Sequence, residues 1–145
     1  MSLQNKKILL IIGGGISAYK SLDLIRLLQR RKSSVKVVLT KSGKKFVTPL
    51  SVSSLLKNKV FEEMFEDNNK GKIDHIALSR WADLVLVLPA TANFMSKLSR
   101  GSADDLASTI ALASNREIFL APAMNVRMWL HKATQKNLKS LIEYG

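Results

Sequence analysis

Short apolar runs alternate with helical segments along this chain, and this alternation restricts its fold more than any other feature. Four runs are interpreted as buried strands: Lys7–Ile12, Val35–Leu39, Leu84–Leu88 and Glu117–Ala121. Five helical segments fall between and after them: Ala18–Arg31, Phe46–Leu56, Leu78–Ala82, Ser102–Ala113 and Thr134–Glu143. The sequence therefore predicts an α/β fold, a Rossmann-like or flavodoxin-like parallel sheet with helices on both faces. The polar stretch Phe61–Gly71 is predicted to be a mobile loop.

Composition limits the chemistry that these 145 residues can perform. They contain no cysteine, so disulfides, thiolate metal sites and a cysteine nucleophile are excluded within them, and no metal site is predicted. No apolar run approaches the ~20 residues of a membrane span, so we expect a cytoplasmic protein without membrane contact. The net charge of +12 is scattered along the chain and is not interleaved with aromatic residues, so we expect no nucleic-acid partner.

The turn after the first strand favours a phosphate ligand. Gly13–Ala18 fits the pattern G-x-G-x-x-A, in which bare backbone approaches an anion at a helix N-terminus, although a tight turn alone would also favour glycine. A dinucleotide site would require an acidic residue after the second strand to hold the ribose hydroxyls. The chain has Thr40-Lys41-Ser42 there, which argues against NAD and favours a mononucleotide.

Polar side chains also follow the third and fourth strands. In Pro89–Asn93, Thr91 and Asn93 could contact a heterocycle, or one of them could cap a helix. Asn125 could orient a carboxylate, or could cap a short helix over Val126–Leu130. Parallel strands end at one edge of the sheet, where ligands bind in folds of this class, so we expect these segments to lie near one another.

Three other groups of side chains, when each is considered alone, have ordinary structural interpretations. His75 lies near a predicted pocket edge, but a lone histidine is more often structural than catalytic. His131 is interpreted as a surface residue. The helical spacing of Met124, Met128 and Trp129 is typical of core packing.

Taken together, these segments resemble the homo-oligomeric flavin-containing cysteine decarboxylases. Within that family the chain is most similar to the phosphopantothenoylcysteine decarboxylase domain of bifunctional coenzyme A biosynthesis flavoproteins. The last of the matching segments is the most specific. In the order of the family they are Gly14–Lys20, Asp74–Ile76 with Arg80–Asp83, Pro89–Asn93, Gly101–Ala107 and Pro122–Trp129.

The resemblance implies FMN bound at a subunit interface of a homotrimer, which could assemble further into a dodecamer. It implies that His75 serves an acid/base step, that Asn125 holds the substrate carboxylate and that Met128 borders the substrate. The implied cofactor contacts are Gly14, Gly15 and Ile16 with Thr40 and Ser42 at the phosphate, Phe46 beside the flavin, and Thr91, Ala92, Asn93 and Ala123 at the ring.

The implied reaction is the oxidative decarboxylation of 4'-phosphopantothenoylcysteine to 4'-phosphopantetheine in coenzyme A biosynthesis. Oxidation at the cysteine β-carbon would create a thioaldehyde that accepts the electrons released with carbon dioxide, which leaves an enethiol. The hydride removed in the oxidation would then have to be returned from the reduced flavin to the enethiol to give 4'-phosphopantetheine. His75 would assist removal of the thiol proton, and Asn125 would align the breaking bond with the electron sink.

Two departures from the family pattern leave other functions open. Phe94 stands where the family usually has threonine, and the cysteine of the family's mobile substrate flap is absent. We therefore expect residues 1–145 to be one FMN-binding domain without that flap or a synthetase domain, and completion of turnover is in question. Alternatives are a peptide-cysteine decarboxylase that forms enethiols, a catalytically idle flavoprotein interaction subunit, and a prenylated-flavin synthase, against which the Asn125 motif argues.

Overall fold

A computed structural model describes residues 2–63 and 75–145 of the chain. Its sheet has four parallel strands in the order β2-β1-β3-β4. The strands are β1 (Lys7–Ile12), β2 (Ser34–Leu39), β3 (Leu84–Ala90) and β4 (Ile118–Pro122). The helices are α1 (Lys20–Arg30), α2 (Pro49–Leu56), α3 (His75–Trp81), α4 (Ala92–Arg100), α5 (Leu106–Ala113), α6 (Val126–Leu130) and α7 (Lys132–Tyr144), with short 3-10 turns at Ile16–Tyr19 and Gly43–Lys45.

The strand order confirms the predicted fold class and fixes the place of a crevice. The chain adds β2 on one side of β1 and then β3 on the other side, so the order reverses at β1. In parallel α/β sheets such a switch point opens a crevice at the carboxyl ends of the strands, and ligands bind there.

Helices cover both faces of the sheet because successive strand residues point to opposite sides. On one face Ile8, Leu10 and Ile12 pack with buried residues of α1 and α2. On the other face Leu9 and Ile11 pack with buried residues of α3, α4 and α5. The whole of β1 after Lys7 is buried, which makes it the centre of the molecule.

Two helices start later than the sequence predicts, one because of a capping residue and one because a 3-10 turn precedes it. The helix predicted over Phe46–Leu56 begins at Pro49, since the Thr48 hydroxyl accepts a hydrogen bond from Ser51 N at 3.0 Å and proline suits the first helical position. The helix predicted over Ala18–Arg31 begins at Lys20, after a 3-10 turn.

The prediction of a helix over Ser102–Ala113 was wrong at its start. Asp105 is the N-cap of α5: its carboxylate accepts a hydrogen bond from Ser108 N at 2.8 Å, while the Ser108 hydroxyl accepts one from Asp105 N at 3.3 Å. This capping box starts the helix at Leu106 and leaves Asp104 in the preceding loop.

Two further predictions required correction. The strand predicted to stop at Leu88 continues through Pro89 to Ala90, and this is compatible with proline because the pairing of β3 with β4 is irregular between Val87 and Ala90. Phe61, the predicted start of a mobile loop, instead forms a parallel bridge with Val38. The rest of that predicted loop, from residue 64 to 71, lies outside the described residues. No helix in the described ranges is long and apolar enough to span a bilayer.

Candidate functional site

A cavity of about 670 Å³ opens at the carboxyl ends of β1, β2 and β3, where the strand order predicts a crevice. Its size falls in the range of small-molecule and cofactor sites. The loops after the three strands contribute glycine backbone, hydroxyl groups, an amide and a lysine. The lining residues are Gly13, Gly14, Val38, Thr40, Lys41, Ser42, Glu62, Glu63, Thr91, Asn93, Phe94, Lys97, Asp104, Asp105, Leu106 and Ala107.

In the glycine turn after β1, close packing requires glycine at two positions but leaves room for a side chain at the third. A Cβ at Gly13 would collide with the carbonyl oxygen of Pro89, and one at Gly14 would collide with the Cβ of Ser42. Both glycines are therefore required by the close packing of the loops. A Cβ at Gly15 would lie 3.5 Å from Pro89 Cγ, an ordinary contact, so packing inside the chain does not explain that glycine.

The loop after β2 offers a free hydroxyl at Ser42 rather than at Thr40. The Thr40 hydroxyl donates to the Ile12 carbonyl at 3.0 Å and accepts from Gly43 N at 3.0 Å, so its hydrogen is already used. The exposed Ser42 side chain has no hydrogen-bond partner among residues 2–63 and 75–145. Of the two hydroxyl side chains among the predicted phosphate contacts, Ser42 is the one with a hydrogen to donate.

Thr91 and Asn93 follow β3 at the same cavity. The Thr91 hydroxyl oxygen caps α4 by accepting a hydrogen bond from Phe94 N at 3.1 Å, which leaves its hydrogen for a ligand. Asn93 lies in the first turn of α4, lines the cavity and is exposed. The helix-capping interpretation therefore holds for Thr91 and leaves Asn93 for a heterocycle.

Phe94, which stands where the family usually has threonine, is a core residue of α4. Its side chain is only 6% exposed and belongs to the core cluster that joins α4 to the sheet. It also forms part of the cavity wall. The aromatic side chain is thus mainly a core residue that reaches the cavity with one edge.

Asn125 follows β4 and caps α6, because its side-chain oxygen accepts a hydrogen bond from Met128 N at 2.9 Å. The carboxyl ends of β3 and β4 are joined next to it by a bond from Ala123 N to Ala90 O at 3.1 Å. The nitrogen of the Asn125 amide has no hydrogen-bond partner within the described parts of the chain, and the residue is exposed. Capping therefore uses one end of this amide and leaves two N–H donors.

Several predicted site residues do not line the cavity. His75 is the half-buried first residue of α3, and Asp74 before it lies outside the described residues. Ile16 and Phe46 are exposed at 79% and 46% beside the loops that form the cavity. The predicted residues missing from the lining are Gly15, Ile16, Phe46, His75, Ala92, Ala123, Asn125 and Met128.

The sequence prediction missed a charged part of the cavity wall. Lys97 Nζ lies 2.8 Å from Asp104 Oδ1 and 2.8 Å from Asp105 Oδ2. The hydrogen bonds that Lys97 donates to Asp104 and Asp105 raise the pKa of Lys97, and the bond that Asp104 accepts from Lys97 lowers the pKa of Asp104. Burial acts to raise the pKa of Asp105, but hydrogen bonds from Lys97 and Ser108 outweigh it and lower that pKa. The spacing of four residues between Asn93 and Lys97 was the available sequence signal.

Glu62, which also lines the cavity, forms an ion pair with Lys44 at 2.7 Å between Oε1 and Nζ, and the hydrogen bond to Glu62 raises the pKa of Lys44. His131, interpreted as a surface residue, also has a structural role. Its Nδ1 accepts a hydrogen bond from Ala133 N at 3.1 Å and caps α7.

No group of three potential metal ligands was found in the part of the chain that the structure describes.

The chain is similar over its full length to bacterial bifunctional proteins. It is 45% identical over 145 residues to the coenzyme A biosynthesis bifunctional protein of Haemophilus influenzae, and 41% identical over 143 residues to that of Bacillus subtilis. It spans only 36% and 35% of the length of these two relatives.

Solved structures share the fold closely. The FMN-dependent cysteine decarboxylase SpaF matches 99% of the chain with a TM-score of 0.90 at 30% identity, and 82% of SpaF is covered. A cysteine-to-serine mutant of PPC decarboxylase in complex with pantothenoylaminoethenethiol matches 97% of the chain with a TM-score of 0.80 at 30% identity, and 79% of that chain is covered. The Flavoprotein family model matches residues 1–145. With its parallel sheet, its switch-point cavity and this match along its whole length, the chain belongs to the Flavoprotein family.

Proposed function

We propose that this chain binds FMN and catalyses the oxidative decarboxylation of 4'-phosphopantothenoylcysteine in coenzyme A biosynthesis. The observation that carries the proposal is the switch-point cavity, in which a glycine turn, a free serine hydroxyl and an amide meet. The similarity to the bifunctional coenzyme A biosynthesis proteins supports this substrate over other cysteine derivatives. A cytoplasmic location would agree with this role.

The residues of the cavity suit a ligand with one phosphate. Gly15 follows the two lining glycines in the turn without lining the cavity itself, and a side chain would have room there, so its being glycine is explained if an external group approaches its backbone. Ser42 has a hydroxyl hydrogen to donate, and Lys41 adds a positive charge to the same wall. Residues 40–42 have no acidic side chain at the end of β2, the position that holds the ribose hydroxyls in dinucleotide sites, so a mononucleotide fits better than a dinucleotide.

The residues for the ring and the substrate follow β3 and β4. Asn93 and the hydroxyl hydrogen of Thr91 would contact the heterocycle of FMN, with Ala92 and Ala123 adding little bulk beside it. When bound, FMN supplies hydride chemistry at the β-carbon of the cysteine. Asn125 would donate its free N–H groups to the substrate carboxylate, and His75 would accept the thiol proton.

A homotrimer, or a dodecamer built from trimers, would complete this site. His75, Asn125 and Met128 do not line the cavity of a single copy, so we propose that a second copy brings such residues to the bound FMN. Ile16 and Tyr19 beside the glycine turn are 79% and 55% exposed, and Phe46 is 46% exposed. Apolar side chains exposed together at a ligand site are typical of an interface.

A peptide-cysteine decarboxylase is the second candidate. SpaF and the peptidyl-cysteine decarboxylase EpiD share the fold with TM-scores of 0.90 and 0.83. Formation of an enethiol without its later reduction requires no reducing cysteine, and these 145 residues have none.

One assay separates the candidates. We would titrate the purified chain with FMN and follow flavin fluorescence, then add 4'-phosphopantothenoylcysteine or a peptide with a C-terminal cysteine and measure carbon dioxide and thiol products. Carbon dioxide from the first substrate, with enethiol or phosphopantetheine as product, supports the lead proposal. Release from the peptide alone supports the second candidate. Protein that does not bind FMN contradicts both.

The matched variant for the chemistry is His75→Asn, which keeps a polar side chain at the start of α3. We expect FMN binding to be retained and carbon dioxide release to fall about 100-fold, the size of a typical acid/base contribution. Unchanged carbon dioxide release would remove the proposed role of His75.

A further inference from the structure

The charged part of the cavity wall connects two helices through one ammonium group. Lys97, whose side chain is 19% exposed, binds Asp104 and Asp105 with both Nζ to oxygen distances at 2.8 Å. Asp105 at the same time caps α5 by accepting a hydrogen bond from Ser108 N at 2.8 Å. Lys97 therefore ties the last half of α4 to the first turn of α5.

This connection is part of the site. Asn93 and Lys97 are four residues apart, so they lie on one face of α4, and both line the cavity. Leu106 and Ala107, the first residues of α5, line it as well. Loss of the ion pairs would remove the charged link between the start of α5 and the helix that carries Asn93, while the core packing of Leu106 and Ala107 would remain.

The same wall of the cavity carries a net negative charge. Two carboxylates against one ammonium leave a net negative charge, and the Lys97 ammonium is occupied by both of them. Its charge is thus not free to attract a phosphate. Around Ser42, the three lysines Lys41, Lys44 and Lys45 outnumber the carboxylates of Glu62 and Glu63, so that side of the cavity keeps a net positive charge. A phosphate is therefore repelled from the start of α5 and accepted at the glycine turn.

We propose that Lys97 is a positioning residue for the bound mononucleotide. By holding Asp104 and Asp105 at the start of α5, it fixes that wall of the cavity and limits the repulsion that the two carboxylates exert on a phosphate bound at the Gly14 turn. This inference rests on the proposed FMN site.

The test compares FMN with riboflavin, which has the same ring and polyol but no phosphate. Lys97→Met leaves two carboxylates without their counter-charge, so we expect FMN to bind about tenfold more weakly while riboflavin loses clearly less. Lys97→Arg keeps the charge and should restore FMN affinity to within about threefold of the wild type. Lys136→Met, which removes a lysine on the exposed side of α7, is the control and should change neither affinity.

Asp104→Asn keeps the test decisive if Lys97→Met does not fold. The Asp104 side chain is 64% exposed, and removal of its charge makes the wall less negative. The affinity of the protein for FMN relative to riboflavin should therefore rise about threefold. Equal losses of both flavins in Lys97→Met, or an unchanged ratio in Asp104→Asn, would overturn the role of Lys97 and leave the proposed function intact. Wild-type protein that binds neither flavin would overturn both.

Discussion

At the scale of single residues, Asn125 can perform two hydrogen-bonding roles at once. Its oxygen caps α6, and its nitrogen remains free to bind a carboxylate. Asn125→Asp retains the cap, because aspartate is an equally good N-cap, but it replaces the N–H donors by negative charge. We expect the free energy of unfolding to stay within about 0.5 kcal/mol of the wild type, and carbon dioxide release to fall about 100-fold.

Asn125→Ala is the matched comparison, because it removes the cap as well as the donors. We expect it to lose activity and about 1 kcal/mol of stability, measured by denaturant unfolding. An Asn125→Asp protein that releases carbon dioxide at the wild-type rate would show that the amide has only its capping role.

We expect glycine to be required at residues 14 and 15 for different reasons, packing at the first and ligand binding at the second. Gly14→Ala would force a methyl group against the Cβ of Ser42 and should lower the free energy of unfolding by about 1–3 kcal/mol. Gly15→Ala would place its methyl group at ordinary distance from Pro89, so its stability should stay within about 1 kcal/mol of the wild type. Its FMN affinity should nevertheless fall, because the methyl group occupies the space proposed for the phosphate. Fluorescence titration and thermal unfolding of the two variants check both expectations, and equal stability of the two would contradict the packing argument.

At the scale of secondary-structure elements, the start of α5 gives stability a dependence on pH. The pKa of Asp105 is lowered from 3.8 in the folded chain, so its ionised form stabilises the fold above that value. This contribution is lost as pH falls through the lower folded-state pKa. Asp105→Asn retains an N-cap but has no charge to lose. We therefore expect the difference in unfolding free energy between wild type and Asp105→Asn to be largest above about pH 5 and to shrink towards about pH 2.

Urea unfolding at several pH values measures that difference. Asp23→Asn, which removes an exposed carboxylate in the first turn of α1, serves as the control for loss of negative charge elsewhere. A difference that stays constant down to pH 2 would show that the ion pair with Lys97 does not stabilise α5.

Strands and helix starts were predicted from the sequence with different accuracy. The strands were predicted almost to the residue, because uninterrupted apolar runs such as that of β1 have few alternatives to burial in a parallel sheet. Helix starts were predicted less well, since they depend on single caps such as Thr48 and Asp105. The glycine turn and the residues after β2 and β3 could be assigned to one cavity because parallel strands share an edge. The pairing of Lys97 with two aspartates depends on the angle between α4 and α5, which no local pattern specifies.

At the scale of the whole molecule, charge and exposed apolar surface have opposite effects on assembly. The net charge of +12 repels copies from one another, and this repulsion weakens as salt is added. Ile16, Tyr19 and Phe46 provide apolar surface beside the cavity. Their burial between copies would favour association, so we expect assembly to strengthen between low and moderate ionic strength.

Substitution of one exposed side chain beside the glycine turn tests whether that assembly completes the FMN site. Ile16→Glu places a charge on a side chain that is 79% exposed in the single copy, so the fold itself should be unaffected. If Ile16 is buried between copies, the variant should remain monomeric by light scattering and bind FMN at least tenfold more weakly, because burying an unpaired carboxylate costs several kcal/mol. Ile142→Glu on α7, at a residue that is 71% exposed, is the matched control and should assemble and bind like the wild type. An Ile16→Glu protein that assembles normally and retains FMN would place the subunit interface elsewhere on the molecule.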